Sequence, residues 1–312
     1  MIRKKILIIG SNGFIGKNLK NNLKKKDKDN HSYEYCYLTR EKVDLKDKLA
    51  LKKYMDIEKP NIVINASGVV GSSMLNEEKN NNDIFDENVF ILMNILECCQ
   101  ETNTEKLILF SSYRLFGEDV REYYDESDIN EGFIKNNTGY LESKRIQNIQ
   151  MELFIKHHKM KIVCFIMPNV FGEEDHYIVN GRIVPSFIRK IRNAKKENKN
   201  LYIESSPNNL INLIYVKDIV RIMEQSIQKE YDNLVGNIII FNKNGTIRIE
   251  ELAKKIAEMV DYRGAIQFHE EAENKKINIM NPNVSKMDSF FPDFEFTDID
   301  SALNHMIKLL PV

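Results

Sequence analysis

Ile6-Leu-Ile-Ile-Gly-Ser-Asn-Gly-Phe-Ile-Gly16 decides the fold. A short apolar run, Ile6 to Ile9, meets three glycines, and Phe14, Ile15, Leu19 and Leu23 follow at the spacing of an amphipathic helix. This predicts a first strand turning directly into a first helix. Gly10 permits the tight turn, Gly13 lets backbone approach a pyrophosphate, and Gly16 allows close helix–strand packing, while the helix start offers free N–H groups to phosphate. Asn12, Phe14 and Ile15 lie in the same turn and are expected to contact the dinucleotide with it.

The rhythm continues outward from this start. Apolar runs at Lys5–Ile9, Tyr33–Leu38, Asn61–Asn65, Lys106–Phe110 and Lys161–Ile166 read as strands, separated by helices near 14–25, 46–57, 85–102 and 138–158. Alternation of this kind predicts an α/β fold, a Rossmann doubly wound parallel sheet. After residue 167 the pieces shorten and prolines punctuate them, which predicts a smaller α/β C-terminal substrate lobe. The expected division is 1–166 for the nucleotide-binding domain, with returns near 210–225 and 236–242, and 167–209 with 243–312 for the second lobe. Leu210–Val216 is expected to rejoin the central sheet. Asn80-Asn-Asn82 and Asn193–Asn200 read as polar loop or helix-end material.

Among 312 residues, 45 Lys and Arg against 46 Asp and Glu leave a net charge of −1, spread along the chain, which argues against a nucleic-acid binder. No stretch reaches the roughly 20 apolar residues of a membrane span. The amino terminus runs into a strand without a signal-peptide pattern, so a cytoplasmic location is expected. Cys36, Cys98, Cys99 and Cys164 lack metal-ligand spacing and are expected to be reduced core residues; no metal site is predicted.

Tyr140-Leu-Glu-Ser-Lys144 places a phenol and an ammonium one helical turn apart. A nearby cation lowers the pKa of a tyrosine and makes it a usable proton donor. Ile108-Leu-Phe-Ser-Ser-Tyr-Arg-Leu-Phe-Gly117 supplies a strand ending in two hydroxyls, at the carboxyl edge where open α/β sheets bind ligands. Glycine turn, serine, tyrosine and lysine, then Pro168-Asn-Val-Phe-Gly172, follow in one order.

With these motifs the chain resembles the extended short-chain dehydrogenase/reductases, the family of nucleotide-sugar epimerases, dehydratases and reductases. It is most similar to the GDP-L-fucose synthase-like 4-keto reductases. Leu38-Thr-Arg-Glu-Lys-Val-Asp-Leu45, Val69-Val-Gly-Ser-Ser73, Phe85-Asp-Glu-Asn88, Met167–Tyr177 and Ile183–Arg189 extend the likeness. The resemblance implies that Tyr140 gives a proton to a substrate carbonyl, Lys144 lowers its pKa and meets the nicotinamide ribose, and Ser112 donates to the same carbonyl. Ser112 is preferred to Ser111 by its distance to Gly117. Asp44, Leu45, Ala66, Ser67, Pro168 and Val170 are implied on the cofactor side, and Tyr113, Arg114, Asn169, Arg182 and Arg189 on the substrate side. Asn88 is implied in the helix lining the site. A homodimer through the two long helices is implied, compatible with Ile95, Leu96, Ile146 and Ile149.

Arg40 stands just after the second strand, where an acidic residue would bind the ribose of NAD; arginine there favours the phosphate of NADPH/NADP, although Glu41 adjoins it. The chain departs from the resemblance at two proton-moving positions. Arg114 and Arg182 replace a cysteine and a histidine, and a guanidinium cannot abstract a carbon-bound proton. His176 is the remaining candidate for that work. Ile211 stands where relatives present an arginine to the nucleotide diphosphate, leaving Arg189, or Lys190, to grip it. The expected activity is NADPH-dependent reduction of the 4-keto group of a nucleotide-activated, GDP-linked 4-keto-6-deoxy hexose or heptose in surface polysaccharide biosynthesis, without 3,5-epimerisation. An NAD-dependent nucleotide-sugar 4-epimerase, a bifunctional epimerase/reductase and a non-catalytic NADP-sensing protein stand beside it as alternatives.

Overall fold

A computed structural model describes residues 3–26, 33–70, 78–117, 123–132, 138–175, 182–228, 234–269 and 281–310. Strands β1 (Lys4–Ile9), β2 (Tyr33–Leu38), β3 (Ile62–Asn65), β4 (Lys106–Ser112) and β5 (Ile162–Met167) alternate with helices α1 (Phe14–Lys26), α2 (Lys48–Glu58), α3 (Glu78–Glu101) and α4 (Thr138–His158). Beyond them come β6 (Asn169–Phe171), α5 (Ile183–Glu197), β7 (Leu201–Ile203), β8 (Leu210–Tyr215), α6 (Val216–Gln228) and β9 (Gly236–Ile239). The described chain closes with β10 (Thr246–Arg248), α7 (Ile249–Met259), β11 (Ile266–Phe268), α8 (Ser285–Phe290) and α9 (Ile299–Leu309).

The central sheet runs β2-β1-β3-β4-β5-β9, with every pairing parallel. Its strands are apolar on both faces because both are covered, as a parallel sheet requires. Ile6, Ile8, Ile62, Ile64, Ile108, Phe110, Val163 and Phe165 pack toward α1 and α6. Leu7, Ile9, Val63, Leu107, Leu109, Ile162 and Cys164 pack toward α2, α3 and α4.

Strand β8 does not rejoin this sheet. It pairs parallel with β6 and antiparallel with β10 in a separate three-stranded sheet, so the expectation for Leu210–Val216 is corrected. The run is apolar because β8 is buried in the adjoining lobe, and apolarity alone does not say which sheet receives a strand. The helix that follows does return: Lys106 Nζ donates to the Ser226 carbonyl at 3.1 Å, and the Tyr33 hydroxyl reaches the Ile227 carbonyl at 3.4 Å. Strand β9 then joins the edge beside β5.

The Asn80–Asn82 run falls at the amino-terminal end of α3, as helix-end material. One further expectation changes. Ile95 and Leu96 are fully buried in their own protomer, against the sheet, and cannot meet a second subunit. The apolar side chains that these long helices leave in solvent are Phe90 on α3 and Ile149 and Leu153 on α4. Cys98, Cys99 and Cys164 are buried and Cys36 half-buried, all as free thiols. Among the described residues no helix is long and apolar enough to cross a membrane.

Candidate active site

The turn after β1 has the form its glycines dictate. Gly10 takes a positive φ of 76°, and its amide and that of Ser11 donate to the Leu38 carbonyl at 3.0 and 3.3 Å. A Cβ on Gly10 would lie 2.6 Å from the Ser67 backbone nitrogen, and one on Gly16 2.1 Å from the Gly10 carbonyl oxygen. The first turn of α1 therefore sits directly on the loop, and the Phe14 and Ile15 amides have no intrahelical acceptor. Such a bare helix start, with backbone on every side, fits a pyrophosphate.

The other residues expected on the cofactor side are held as follows. The Ala66 amide donates to the Ile9 carbonyl at 2.9 Å, and the Ser67 amide and hydroxyl both donate to Asn65 Oδ1. Asp44 accepts from the Lys46 amide, and the Leu45 carbonyl accepts from Asn94. Arg40 is well exposed, its side chain 73% accessible and 3.5 Å from the Glu87 carboxylate on α3. Asn12 reaches Glu41 at 3.5 Å, so the acidic neighbour turns toward the glycine loop. Val170 is buried in the core on β6.

Ser112 ends β4 and caps the short 3-10 helix Tyr113–Phe116, its Oγ accepting from the Arg114 amide at 3.4 Å. Ser111 Oγ is buried without a hydrogen-bond partner among the described residues. The Tyr113 phenol, raised by burial, bonds the side chain of Asn169, whose Nδ2 donates to the Asn212 carbonyl at 3.3 Å. Asn88 clamps the opposite wall. Its Oδ1 accepts from the Val69 amide, its Nδ2 donates to the Val69 carbonyl and to Ser143 Oγ, and that hydroxyl donates to the Tyr140 carbonyl at 2.6 Å.

Tyr140 and Lys144 share one face of α4, with the ammonium 5.8 Å from the phenol ring centroid. Burial pushes the Tyr140 phenol up, and the cations that oppose this are Arg182 and Arg114 rather than Lys144. Burial likewise pulls the Lys144 ammonium down to about 8. The Lys144 ammonium is held by Phe110 O and Gln147 Oε1.

Arg182 precedes α5 and reaches back to α1. Its guanidinium carbon stands 4.2 Å from the centroid of the Phe14 ring, and Nη1 donates to Asp175 Oδ1. Burial raises the Asp175 carboxyl to about 6 against the pull of Arg182 and Arg189. Arg114, Arg182 and Arg189 are thus linked through fields on Tyr140 and Asp175. His176 lies outside the described residues. Asp175 and Gln147 carried no signal of their own in the sequence. Asp175 is one of many acidic residues until its burial is seen, and Gln147 matters only through the i,i+3 spacing to Lys144.

The sequence model of the NAD dependent epimerase/dehydratase family matches residues 6–240. The chain belongs to this family. As a member it is an oxidoreductase-type enzyme built around a nicotinamide cofactor, which the glycine turn and bare helix start fit. It is similar to a GDP-L-fucose synthase of Dictyostelium discoideum, 26% identical over 96% of this chain and 93% of that one. A GDP-L-colitose synthase of Yersinia pseudotuberculosis is 26% identical over 85% of this chain and 84% of its own. In structure it resembles the GDP-mannoheptose C4 reductase MlghC of Campylobacter jejuni, with NADP bound, at a TM-score of 0.82 and 20% identity over 99% of this chain and 98% of that one.

Proposed function

We propose that the protein is an NADPH-dependent reductase of the C4 keto group of a GDP-linked 4-keto-6-deoxy hexose or heptose, serving surface polysaccharide biosynthesis. The observation that carries this reading is the Lys144–Phe110 hydrogen bond, which ties the α4 face bearing Tyr140 and Lys144 to the strand that ends in Ser112. Relatives named for GDP-sugar synthesis over nearly the whole chain support the substrate class.

The bound cofactor supplies the hydride. Tyr140 delivers a proton to the oxygen left on carbon 4, and Ser112 donates a hydrogen bond to that oxygen. Positioned donors of this kind in a dry cleft lower the barrier without reorganisation. Arg114 and Arg182 favour the phenolate left behind, because both oppose the burial that raises the Tyr140 pKa. Lys144 adds its charge and reaches the ribose. Gly10, Asn12, Gly13, Phe14, Ile15 and Gly16 hold the pyrophosphate, with Asp44, Leu45, Ala66, Ser67, Pro168 and Val170 along the rest of the cofactor. Arg40 takes the 2′-phosphate that distinguishes NADPH. Tyr113 and Asn169 line the sugar side and Arg189 takes the diphosphate.

Reduction occurs without epimerisation at carbons 3 and 5. Arg114 and Arg182 remain protonated, and Arg182 is already engaged by Asp175. The enzyme acts in the cytoplasm as a homodimer formed on α3 and α4.

The experiment is NADPH oxidation with GDP-4-keto-6-deoxymannose and its heptose counterpart, with and without a separate 3,5-epimerase, and product stereochemistry by NMR. Turnover without solvent-proton exchange at carbons 3 and 5 is expected, and Tyr140→Phe should slow it by about 10²–10⁴-fold. Exchange at those carbons would overturn the simple-reductase reading, and absence of oxidation with any 4-keto sugar would overturn the reaction.

A further inference from the structure

The half-buried Lys144 ammonium makes two hydrogen bonds. It donates to the Phe110 carbonyl of β4 at 3.1 Å and to Gln147 Oε1, three residues along α4, at 2.9 Å. Gln147 is itself buried. Phe110 directly precedes Ser111 and Ser112, so the first bond ties the helix carrying Tyr140 to the strand carrying Ser112.

Neither acceptor is charged, and among the described residues no carboxylate acts on this ammonium. Cys164 on β5 is buried with its thiol pushed up to about 12, so it stays neutral. From α3 the neighbour of this stretch is Asn88, which bonds Ser143. From β9 it is Asn237, which bonds Asn148. Arg145 turns away to the Leu115 and Gly132 carbonyls beside the 3-10 helix. Tyr140 on the same helix is the remaining titratable neighbour among the described residues.

We propose that Gln147 is a positioning residue that clips the Lys144 ammonium to β4 and, by holding it with a neutral acceptor, keeps its proton available to a neighbouring oxygen. A glutamate in its place would satisfy the same geometry and trap the charge. An apolar residue would leave the ammonium on the Phe110 carbonyl alone, with one acceptor fewer against the cost of burial. The present poise of Lys144, near 8, follows from burial that no counter-ion offsets. The consequence for catalysis rests on the reductase reading, but the geometry does not.

The test is an NMR titration of the Lys144 side chain, 13C-labelled at Cε and assigned by its loss in Lys144→Met, in the wild type, Gln147→Glu and Gln147→Met. The Lys144 midpoint should rise by about one pH unit or more with glutamate, as an adjacent opposite charge imposes, and fall below the wild type with methionine. Coincidence of either variant with the wild type overturns the proposal. The alkaline limb of kcat is measured in the same three proteins and should follow the midpoints. Midpoints that shift while that limb stays still would support the clip and overturn the catalytic use of Lys144.

Discussion

The guanidinium carbon of Arg182 stands 4.2 Å from the centroid of the Phe14 ring, so a residue from the second lobe caps the first turn of the cofactor helix. The same guanidinium pairs with Asp175, whose side chain is 3% exposed. Removing it leaves a buried carboxylate unpaired. Arg182→Ala should lose about 1–3 kcal/mol at pH 8, the cost of leaving the buried carboxylate unsatisfied once its 40% exposed, solvent-screened partner is gone, whereas Arg182→Lys should lose less because it keeps the charge but not the planar stacking.

That deficit should depend on pH. The Asp175 carboxyl is raised from its ordinary 3.8 to about 6, so the stability it contributes is fully present below 3.8 and is lost as pH rises through about 6. Without Arg182 the carboxyl can take a proton at pH 5 in place of its partner, so the Tm gap between Arg182→Ala and the wild type should narrow from pH 8 to pH 5. Equal gaps in thermal melts at the two pH values would show that Asp175 is not the group left unpaired.

Gly16 and Gly13 should fail in different ways. A Cβ at Gly16 would fall 2.1 Å from the Gly10 carbonyl oxygen, and at Gly13 only 3.3 Å from the same atom. Gly16→Ala must displace helix from loop and should lower stability by about 3 kcal/mol or more. Gly13→Ala should melt close to the wild type yet bind NADPH more weakly. Thermal melts alongside NADPH fluorescence titrations separate the two, and similar Tm losses in both variants would refute the assignment.

Arg40 is exposed and only 3.5 Å from Glu87, a loose surface contact that leaves the guanidinium able to take a phosphate. Arg40→Ala should raise KM for NADPH by about tenfold or more, the worth of one charge-assisted contact, while leaving NADH little changed. Steady-state kinetics with both cofactors give the ratio; an unaltered preference would place the 2′-phosphate elsewhere.

Phe90, Ile149 and Leu153 are 60%, 43% and 50% exposed on α3 and α4. Apolar side chains of this size are expected to be covered by a second copy. Light scattering should give the mass of a dimer for the wild type and of a single protomer for Phe90→Glu combined with Leu153→Glu. A wild-type monomer, or a doubly substituted dimer, would move the contact away from these helices.

Much of the nucleotide-binding half was legible because its signals are local. The limits of β2 and α4 coincide with the periodicity, and the glycine turn lies where apolar strand meets amphipathic helix, since strand, turn and helix are dictated by neighbours a few residues apart.

The sequence by itself determined the order of chemistry along the chain: glycine turn, Arg40, Ser112, Tyr140 and Lys144, together with a strand-and-helix alternation that only a parallel sheet can absorb. The tertiary structure alone decided that β8 belongs to the smaller sheet, that Ile95 and Leu96 face inward, and that arginines 40 or more residues from Tyr140 in one case act on its phenol. It also decided that Lys144 rests on Phe110 and Gln147. Pairing between distant segments, burial and the fields they create depend on which surfaces meet, and a one-dimensional pattern specifies the surfaces without specifying their partners.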